Sequence, residues 1–328
     1  MVLFDALFAF AGLYLILKGS EWVTDAVSVV AHRLRTTNVA VGLLVVSLLL
    51  SLPELAISIS SILKGHPGIG LGVALGSVIV NLGLIVGLAA VSNGLRVPRH
   101  VVTRDGIFML VATLVASILV LEGGGLGRTD GFILLLLFIP YVVNIYEQEK
   151  QIALVEQHKE AQTISKTLRF MGKLGVGDLE VKSGPLIMLV GVLMLLAGSE
   201  LFTNALISVS GTLALPELLV GLTLGALGPS IPNLAAALQA ARRGYDELVV
   251  SETIGSNVFT LLITLGLISV IQPVAVDIKT ALVTMPALVF ITLVFFYYLS
   301  KGAFSRNAGK LLLLLYVLAV AAEYLVRW

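Results

Sequence analysis

Long apolar segments alternate with short polar ones along the whole chain. A membrane-spanning helix needs about 20 mostly apolar residues, and the ten-residue alternation typical of a membrane β-barrel is missing. The pattern therefore predicts an all-α polytopic membrane protein with ten transmembrane helices. The predicted spans cover residues 3–31, 38–63, 68–94, 103–121, 130–147, 185–212, 217–241, 247–271, 280–299 and 309–327.

One long polar segment, 148–184, divides the chain into a first half (1–147, spans 1–5) and a second half (185–328, spans 6–10). The segment is too short for a separate domain, so we interpret it as a solvated linker whose spaced aliphatic residues suggest a short amphipathic helix. The amino terminus carries Asp5 where a cleavable signal peptide has basic residues, so no signal peptide is expected.

Composition supports a membrane protein and excludes several functions. Hydrophobic residues make up 58% of the chain and charged residues 12%, against about 25% charged residues in soluble domains. The net charge of +1 offers no excess of cations for nucleic acid. Because cysteine is absent, disulfides, iron–sulfur clusters and thiolate zinc sites are excluded.

The distribution of Lys and Arg predicts the orientation in the membrane. Sixteen of the 21 lie in the loops after odd-numbered spans and four on the opposite side, while Lys18 falls inside span 1. Cytoplasmic loops carry the excess of positive charge. The bias places the 148–184 segment in the cytoplasm and both termini outside the cell.

The chain contains an internal repeat that aligns residues 12–88 with residues 191–267. The two segments are identical at 23 of 77 positions without a gap, including Gly-Ser-Glu, Ser-x-Pro and Gly-Ser motifs in one register. Since each copy holds five spans, the second enters the membrane upside down. Two inverted five-helix repeats are typical of secondary transporters, whose substrate sites lie near the bilayer midplane.

Polar motifs interrupt spans 2 and 7 at equivalent positions, Ser51-Leu52-Pro53-Glu54 and Ser230-Ile231-Pro232-Asn233. Proline removes a backbone donor and displaces the carbonyl four residues earlier. We expect freed carbonyls at 48–50 and 227–229, and a cation would satisfy them.

Glu54 is the strongest candidate for an ion-binding residue. A charge in the middle of the bilayer costs about 3 kcal/mol or more, and no Lys or Arg is predicted at its depth. A proton or a cation is then its natural counter-ion, and exchange between the two is antiporter chemistry.

Spans 3 and 8 add polar oxygens on one helix face each, at i and i+4 spacing. Hard cations take carboxylate, amide, hydroxyl and carbonyl oxygens as ligands. The predicted metal-binding residues are Glu54, Asn81, Ser51, Ser77, Ser230, Asn233, Ser256 and Thr260.

Other acids are weaker candidates. Glu252 lies on the face of Ser256, nearer the cytoplasm, and either lines an access path or sits among lipid headgroups. Glu21 and Glu200 occupy equivalent Gly-Ser-Glu positions, and we interpret them as caps or interface groups. Lys18 pairs with Glu21 or extends toward the membrane surface.

The paired motifs, with Gly76-Ser77 and Asn81 in span 3 and Gly255-Ser256-Asn257 in span 8, resemble the α-repeats of the calcium/cation antiporter superfamily, most closely its compact prokaryotic sodium/calcium exchangers. The resemblance implies four ion positions lined by spans 2, 3, 7 and 8, occupied alternately by calcium and by sodium or protons. It also implies that helices 1 and 6 slide across the core. Glu54 matches the family's essential acid. The polar ligands of the family match Ser51, Ser77, Asn81, Ser230 and Ser256.

The chain departs from the family pattern in ways that bear on the ion. Leu49 and Leu50 precede Ser51 where the family has Gly-Thr, and Pro229 replaces a threonine. Asn233 and Thr260 stand where relatives carry acids. One carboxylate balances a monovalent cation or a proton better than a divalent ion, because each lost charge weakens the compensation for dehydration.

The sequence thus predicts a cation antiporter in the cell (inner or plasma) membrane that exchanges calcium or another cation for sodium or protons. The alternatives are a monovalent cation/proton exchanger, a non-transporting cation-binding sensor and a channel. An intramembrane enzyme is not expected, since every histidine falls in a predicted loop. No cofactor is predicted. The expected partners are inorganic cations and the lipid bilayer, without nucleic acid and with a monomer as the working form.

Overall fold

The structure is a computed structural model that describes residues 2–33, 49–155 and 185–325. These residues are almost entirely helical. In chain order the helices are α1 Val2–Arg33, α2 Leu52–Leu63, α3 Pro67–Asn93, α4 Arg99–Gly123, α5 Arg128–Val155, α6 Pro185–Thr212, α7 Glu217–Arg242, α8 Asp246–Ile271, α9 Ile278–Ser300 and α10 Arg306–Leu325.

Nine helices in the described part of the chain are long and apolar enough to cross a membrane, and α2 is a shorter apolar helix. The predicted beginning of span 2 lies outside the described residues, as does the linker from 156 onward. Helix α5 continues to Val155, beyond the predicted end at 147. The first turn of this extension, 148–151, is polar, and a helix that leaves the bilayer can continue into water.

The predicted break in span 2 is confirmed. Ser51 forms a turn between the helical residues 49 and 50 and the start of α2, and Pro53 stands in the first turn of that helix. The carbonyl of Leu49, one of those expected to be freed, accepts a hydrogen bond of 3.4 Å from the buried Ser20 hydroxyl on α1. A side chain of a neighbouring helix thus satisfies the interrupted backbone.

The predicted interruption of span 7 is wrong in its position and kind. The α-helix runs through Pro229 and Pro232 without a break. The irregularity is a π-helical turn at Gly221–Gly225 that directly precedes this helix. The proline ring at 229 would press on the carbonyl of Gly225, four residues earlier. The π turn that ends at Gly225 accommodates this clash, so the α-helix continues through both prolines.

Helices α1 and α6 pack extensively against each other. A Cβ added at Gly12 would lie 2.9 Å from the carbonyl oxygen of Gly198, and one added at Gly19 would lie 2.6 Å from that of Gly191. The two backbones therefore touch at two crossing points. Close backbone approach through small residues is the usual way in which membrane helices associate.

Helix α3 forms the centre of the bundle and is almost completely buried, and α8 is largely buried as well. A Cβ at Gly72 would lie 2.9 Å from the Cα of Gly221, and a Cβ at Gly76 would lie 2.6 Å from the carbonyl oxygen of Leu222. Helix α3 thus lies directly on the π-helical turn of α7. This contact brings polar residues of span 3 close to span 7.

Four two-residue strands connect the helix ends in two antiparallel pairs. Strand β1 (Leu95–Arg96) pairs with β4 (Ala303–Phe304), and β2 (Gly125–Leu126) pairs with β3 (Val274–Ala275). Each pair joins a loop of the first half to a loop of the second half. The connections around α4, α9 and α10 are therefore tied together, and no strand pairing involves the ends of α1 or α6 within the described residues.

Candidate functional site

All eight predicted site residues are described and buried, with exposures between 0% and 5%. They come from four elements: the turn and first residues of α2, and the middle parts of α3, α7 and α8. The structure joins Ser51, Asn81 and Ser256 by direct contacts and places Glu54 beside Ser230. For Ser77, Asn233 and Thr260 it shows burial on α3, α7 and α8.

A chain of hydrogen-bonded side chains links the two halves. The Ser51 Oγ lies 2.8 Å from the Ser256 Oγ. Asn81 Nδ2 donates to Asn257 Oδ1 at 2.9 Å and approaches Ser256 Oγ at 3.5 Å. Asn257 in turn directs its amide nitrogen at the sulfur of Met109, 3.7 Å away. These contacts hold the break of α2 and the middle of α3 against α8.

Asn257 is a residue of this cluster that the sequence-based prediction did not include. It is fully buried, and its position in the first repeat is taken by Val78. Reasoning from repeat symmetry therefore passed over it. The signal available in the sequence was its place directly after Ser256 in the Gly-Ser-Asn motif.

Glu54 stands in the first turn of α2, immediately after the break. Both carboxylate oxygens are buried and have no hydrogen-bond partner, and no ion pair in the described part of the chain includes this residue. The Ser230 hydroxyl lies next to the carboxylate but does not meet hydrogen-bond geometry. The positive end of the α2 helix dipole favours a negative charge here.

Three hydroxyls of the predicted set are also buried without partners, namely those of Ser77, Ser230 and Thr260. Buried polar atoms are normally hydrogen-bonded, so such a group of open oxygens calls for an explanation. Carboxylate and hydroxyl oxygens are ligands for hard cations. The described residues contain no cluster of three His, Cys, Asp or Glu suited to a metal, and within the predicted set Glu54 is the one carboxylate among neutral donors.

The repeat alignment relates the eight residues as four pairs: Ser51 with Ser230, Glu54 with Asn233, Ser77 with Ser256, and Asn81 with Thr260. In the two serine pairs, the two members differ in their hydrogen bonding. Ser51 and Ser256 share a hydrogen bond, whereas their counterparts Ser230 and Ser77 have open hydroxyls. In each of these two serine pairs, one hydroxyl is hydrogen-bonded and the other has no partner.

Asn81 and Thr260 both lie in π-helical turns, Val80–Ile85 in α3 and Thr260–Thr264 in α8. A π turn accommodates one more residue than an α turn and is frequent at functional sites. The amide and the hydroxyl therefore stand on backbone that is locally widened at equivalent positions of the two repeats.

The acids outside this cluster are mostly paired. Lys18 Nζ lies 2.6 Å from a carboxylate oxygen of Glu21, which confirms the predicted pair. Lys64 Nζ lies 3.2 Å from Glu200 Oε1, so Glu200 is an interface group between α6 and the end of α2. Glu252 differs from both, because its Oε1 is buried without a partner.

An apolar helical bundle around buried, unpartnered oxygens is typical of an ion-transporting membrane protein. The chain matches the family described as "Sodium/calcium exchanger protein" over residues 4–146 and again over 183–325. The protein belongs to this family. It is accordingly a multi-pass membrane protein of the calcium/cation antiporter group.

Individual relatives agree with this assignment. "Inner membrane protein YrbG" of Escherichia coli is 32% identical over 81% of this chain and 79% of its own length. "Sodium/calcium exchanger MaX1" of Methanosarcina acetivorans is 27% identical over 97% of both chains. A solved structure of the sodium-calcium exchanger NCX_Mj, 26% identical, covers 98% of this chain and 99% of its own with a TM-score of 0.64.

These relationships confirm the family predicted from the motifs and its membrane location. By family the protein is a cation antiporter, and the exchangers among its relatives are transporters rather than enzymes. The helical fold agrees with that of the solved exchanger.

Proposed function

We propose that the protein is a secondary active antiporter that exchanges calcium or another cation for sodium or protons by alternating access. The observation that carries the proposal is the Glu54 carboxylate, which is buried at the start of a broken helix with both oxygens open. The hydroxyls of Ser77, Ser230 and Thr260 would complete the binding site, together with Ser51, Asn81, Asn233 and Ser256. A cation or a proton would neutralise Glu54 in turn.

The proposed architecture is a pair of inverted five-helix repeats, 1–147 and 185–328, joined by a cytoplasmic loop at 148–184. The two segments that match the family begin at 4 and 183 and end at 146 and 325. The second segment is therefore shifted from the first by the same number of residues at both ends, and this shift equals that of the repeat alignment. The helix-ending turns at Gly65 and Gly244 also support the repeat. Both glycines have a left-handed φ, +78° and +76°, and their positions correspond in the same alignment.

The strand pairs support the proposed division of the loops between the two sides of the membrane, while the proposed location of both termini outside rests on the charge distribution. Strands β1 and β4 belong to loops that the charge distribution places in the cytoplasm, and β2 and β3 to loops on the outer side. Each pair thus joins loops that were predicted on one side of the membrane. A topology that placed the two strands of a pair on opposite sides of the membrane would be incompatible with their hydrogen bonds.

Alternating access requires a movable part, and α1 with α6 fits that role. Their contact consists of glycine crossings at related positions, Gly12 with Gly198 and Gly19 with Gly191. In the repeat alignment Gly12 corresponds to Gly191 and Gly19 to Gly198. The crossings therefore exchange with each other under the repeat symmetry, as expected for a helix pair that serves both orientations equally.

A second candidate function is exchange of a monovalent cation for protons. It is favoured by the neutral side chains of Asn233 and Thr260, which leave Glu54 as the single acid of the predicted set. A monovalent ion needs one compensating charge, whereas a divalent ion leaves a net positive charge in a region that disfavours it.

The test is a flux screen on purified protein in liposomes, with sodium, potassium, calcium, magnesium and proton gradients imposed separately. Antiport predicts uptake of one cation only when another flows in the opposite direction. Uptake that follows its own gradient without counterflow would indicate a channel and overturn the proposal. Cation binding without any flux would indicate a sensor.

A further inference from the structure

Glu252 is a half-buried acid with one fully buried carboxylate oxygen, and the predicted binding set does not use it. It lies on α8 one helical turn before Ser256, so both side chains project from the same face of the helix. Its Oε1 is buried and has no hydrogen-bond partner among the described residues. A buried, unpaired carboxylate is costly, and natural proteins retain one where a proton or a cation is bound.

The position of Glu252 connects it to the site around Glu54. The two acids are close enough for their charges to repel each other. The Ser51–Ser256 hydroxyl pair bridges the helices that carry them, since Ser51 precedes Glu54 by three residues and Ser256 follows Glu252 by four. The two carboxylates therefore flank the same contact between α2 and α8.

The other acids whose side-chain partners the structure shows do not offer this combination. Glu21, Glu200, Glu217 and Glu247 have basic partners, and Asp105 is bound by Arg104. Glu323 accepts a hydrogen bond from Thr284. Glu54 and Glu252 thus each carry a buried carboxylate oxygen without a partner on the two sides of one contact between α2 and α8.

We propose that Glu252 is a cation-binding residue that supplies the second negative charge of the transport site. This inference rests on the proposed antiport function and narrows its substrate class to divalent cations. The carboxylates of Glu54 and Glu252 would together balance the charge of a calcium ion and compensate for the neutral Asn233 and Thr260. The repeat equivalent of Glu252 is the fully buried Val73, so the second charge stands on one side of the site only, toward the cytoplasm.

The proposal is tested by calorimetric titration of calcium and sodium onto purified protein carrying Glu252→Gln. Removing one of two carboxylates should weaken calcium binding by about 10-fold to 100-fold, since ligand charge strongly sets calcium affinity. Sodium binding should change by about threefold or less, because Glu54 alone balances one charge. The matched control is Glu247→Gln on the same helix, an exposed acid paired with His100, which should leave both affinities unchanged.

A rescue variant separates charge from packing. Asn233→Glu placed in the Glu252→Gln protein restores a second acid at the repeat partner of Glu54, so calcium affinity should recover by about 10-fold. If Glu252→Gln is not obtained as a folded protein, Glu252→Asp takes its place. It should lower calcium affinity because the shorter side chain holds its carboxylate farther from the ion.

The outcomes separate this proposal from the broader one. Wild-type calcium affinity in Glu252→Gln, or in Glu252→Asp, would overturn the role of Glu252 while leaving antiport at Glu54 intact. Equal losses of sodium and calcium binding would also overturn it, because they indicate a structural role. Absence of counterflow in the unmodified protein would instead refute the proposed function.

Discussion

The hydroxyl of Ser51 lies 2.8 Å from that of Ser256, although 205 residues separate them along the chain. The bond crosses from the break of α2 to the middle of α8, beside the carboxylate of Glu54. Two hydroxyl oxygens at this distance satisfy each other, and a cation that used both as ligands would have to separate them. The Ser51–Ser256 contact is therefore a marker of how the site is occupied.

The first prediction uses this contact and the absence of native cysteine. Oxidation of a Ser51→Cys/Ser256→Cys variant should cross-link the two halves of the chain. A protease site introduced into the 156–184 segment allows the halves to be separated on a denaturing gel. A Ser51→Cys/Ser269→Cys control should stay unlinked, since Ser269 is about 20 Å farther along α8. Failure of the first pair to cross-link would contradict the contact.

The second prediction concerns Glu54. Glu54→Gln keeps the shape of the side chain and removes its charge, so exchange should fall to background in liposome flux measurements. The variant should be at least as resistant to thermal unfolding as the unmodified protein, because a buried, unpartnered carboxylate is replaced by a neutral amide. Glu122→Gln, at an exposed position near the end of α4, should exchange normally. Flux near the wild-type rate in Glu54→Gln would refute the mechanism.

The third prediction concerns the contact between α1 and α6. A Cβ at Gly198 would lie 2.7 Å from both the carbonyl oxygen of Gly12 and the amide nitrogen of Ile16. Gly198→Ala should therefore force the helices apart, lower the free energy of unfolding by about 1–3 kcal/mol and slow exchange. The control is Gly211→Ala on the same helix, where a Cβ meets nothing within 4 Å. Similar unfolding midpoints for the two variants would show that the close approach is unimportant.

The fourth prediction follows from the ion pair between Lys64 and Glu200, which joins the end of α2 to α6 at 3.2 Å. In the repeat, Lys64 corresponds to Arg243 and Glu200 to Glu21. Glu21 is bonded to Lys18 in the present state. If the repeats exchange roles between the two states of the transporter, a Glu21–Arg243 contact should replace the Lys64–Glu200 contact.

Paired cysteines can distinguish these states. Lys64→Cys/Glu200→Cys and Glu21→Cys/Arg243→Cys should each cross-link in membranes, each should stop exchange, and reduction should restore it. The single-cysteine variants should remain active. The exchange of contacts would be disproved by a Glu21→Cys/Arg243→Cys protein that never cross-links during turnover.

The sequence predicted the helices and the burial of the candidate residues well, because both follow from local features. Apolar length determines where helices lie, and Pro53 after Ser51 determines where span 2 breaks. The eight candidate residues are buried because polar side chains in the middle of a membrane helix avoid lipid. These features require no knowledge of the neighbouring helices.

The parts that were missed depend on contacts between helices. Pro232 suggested an interruption, yet the deformation lies in the π turn at Gly221–Gly225, which responds to packing against α3. Asn257 has no polar counterpart in the first repeat, so symmetry did not reveal it. The open state of Glu252 could not be inferred from spacing, since the sequence does not show which side chains have partners.

The strand pairs and the Ser51–Ser256 bond also bear on how the protein is made. Ribosomes add about 5–20 residues per second, so the partner of Ser51 is synthesised roughly 10–40 s after it. During that interval the first half holds an acid and several hydroxyls that its own helices do not satisfy. The hydrogen bond between Ser51 and Ser256, and with it the finished site, therefore forms only when the second half arrives.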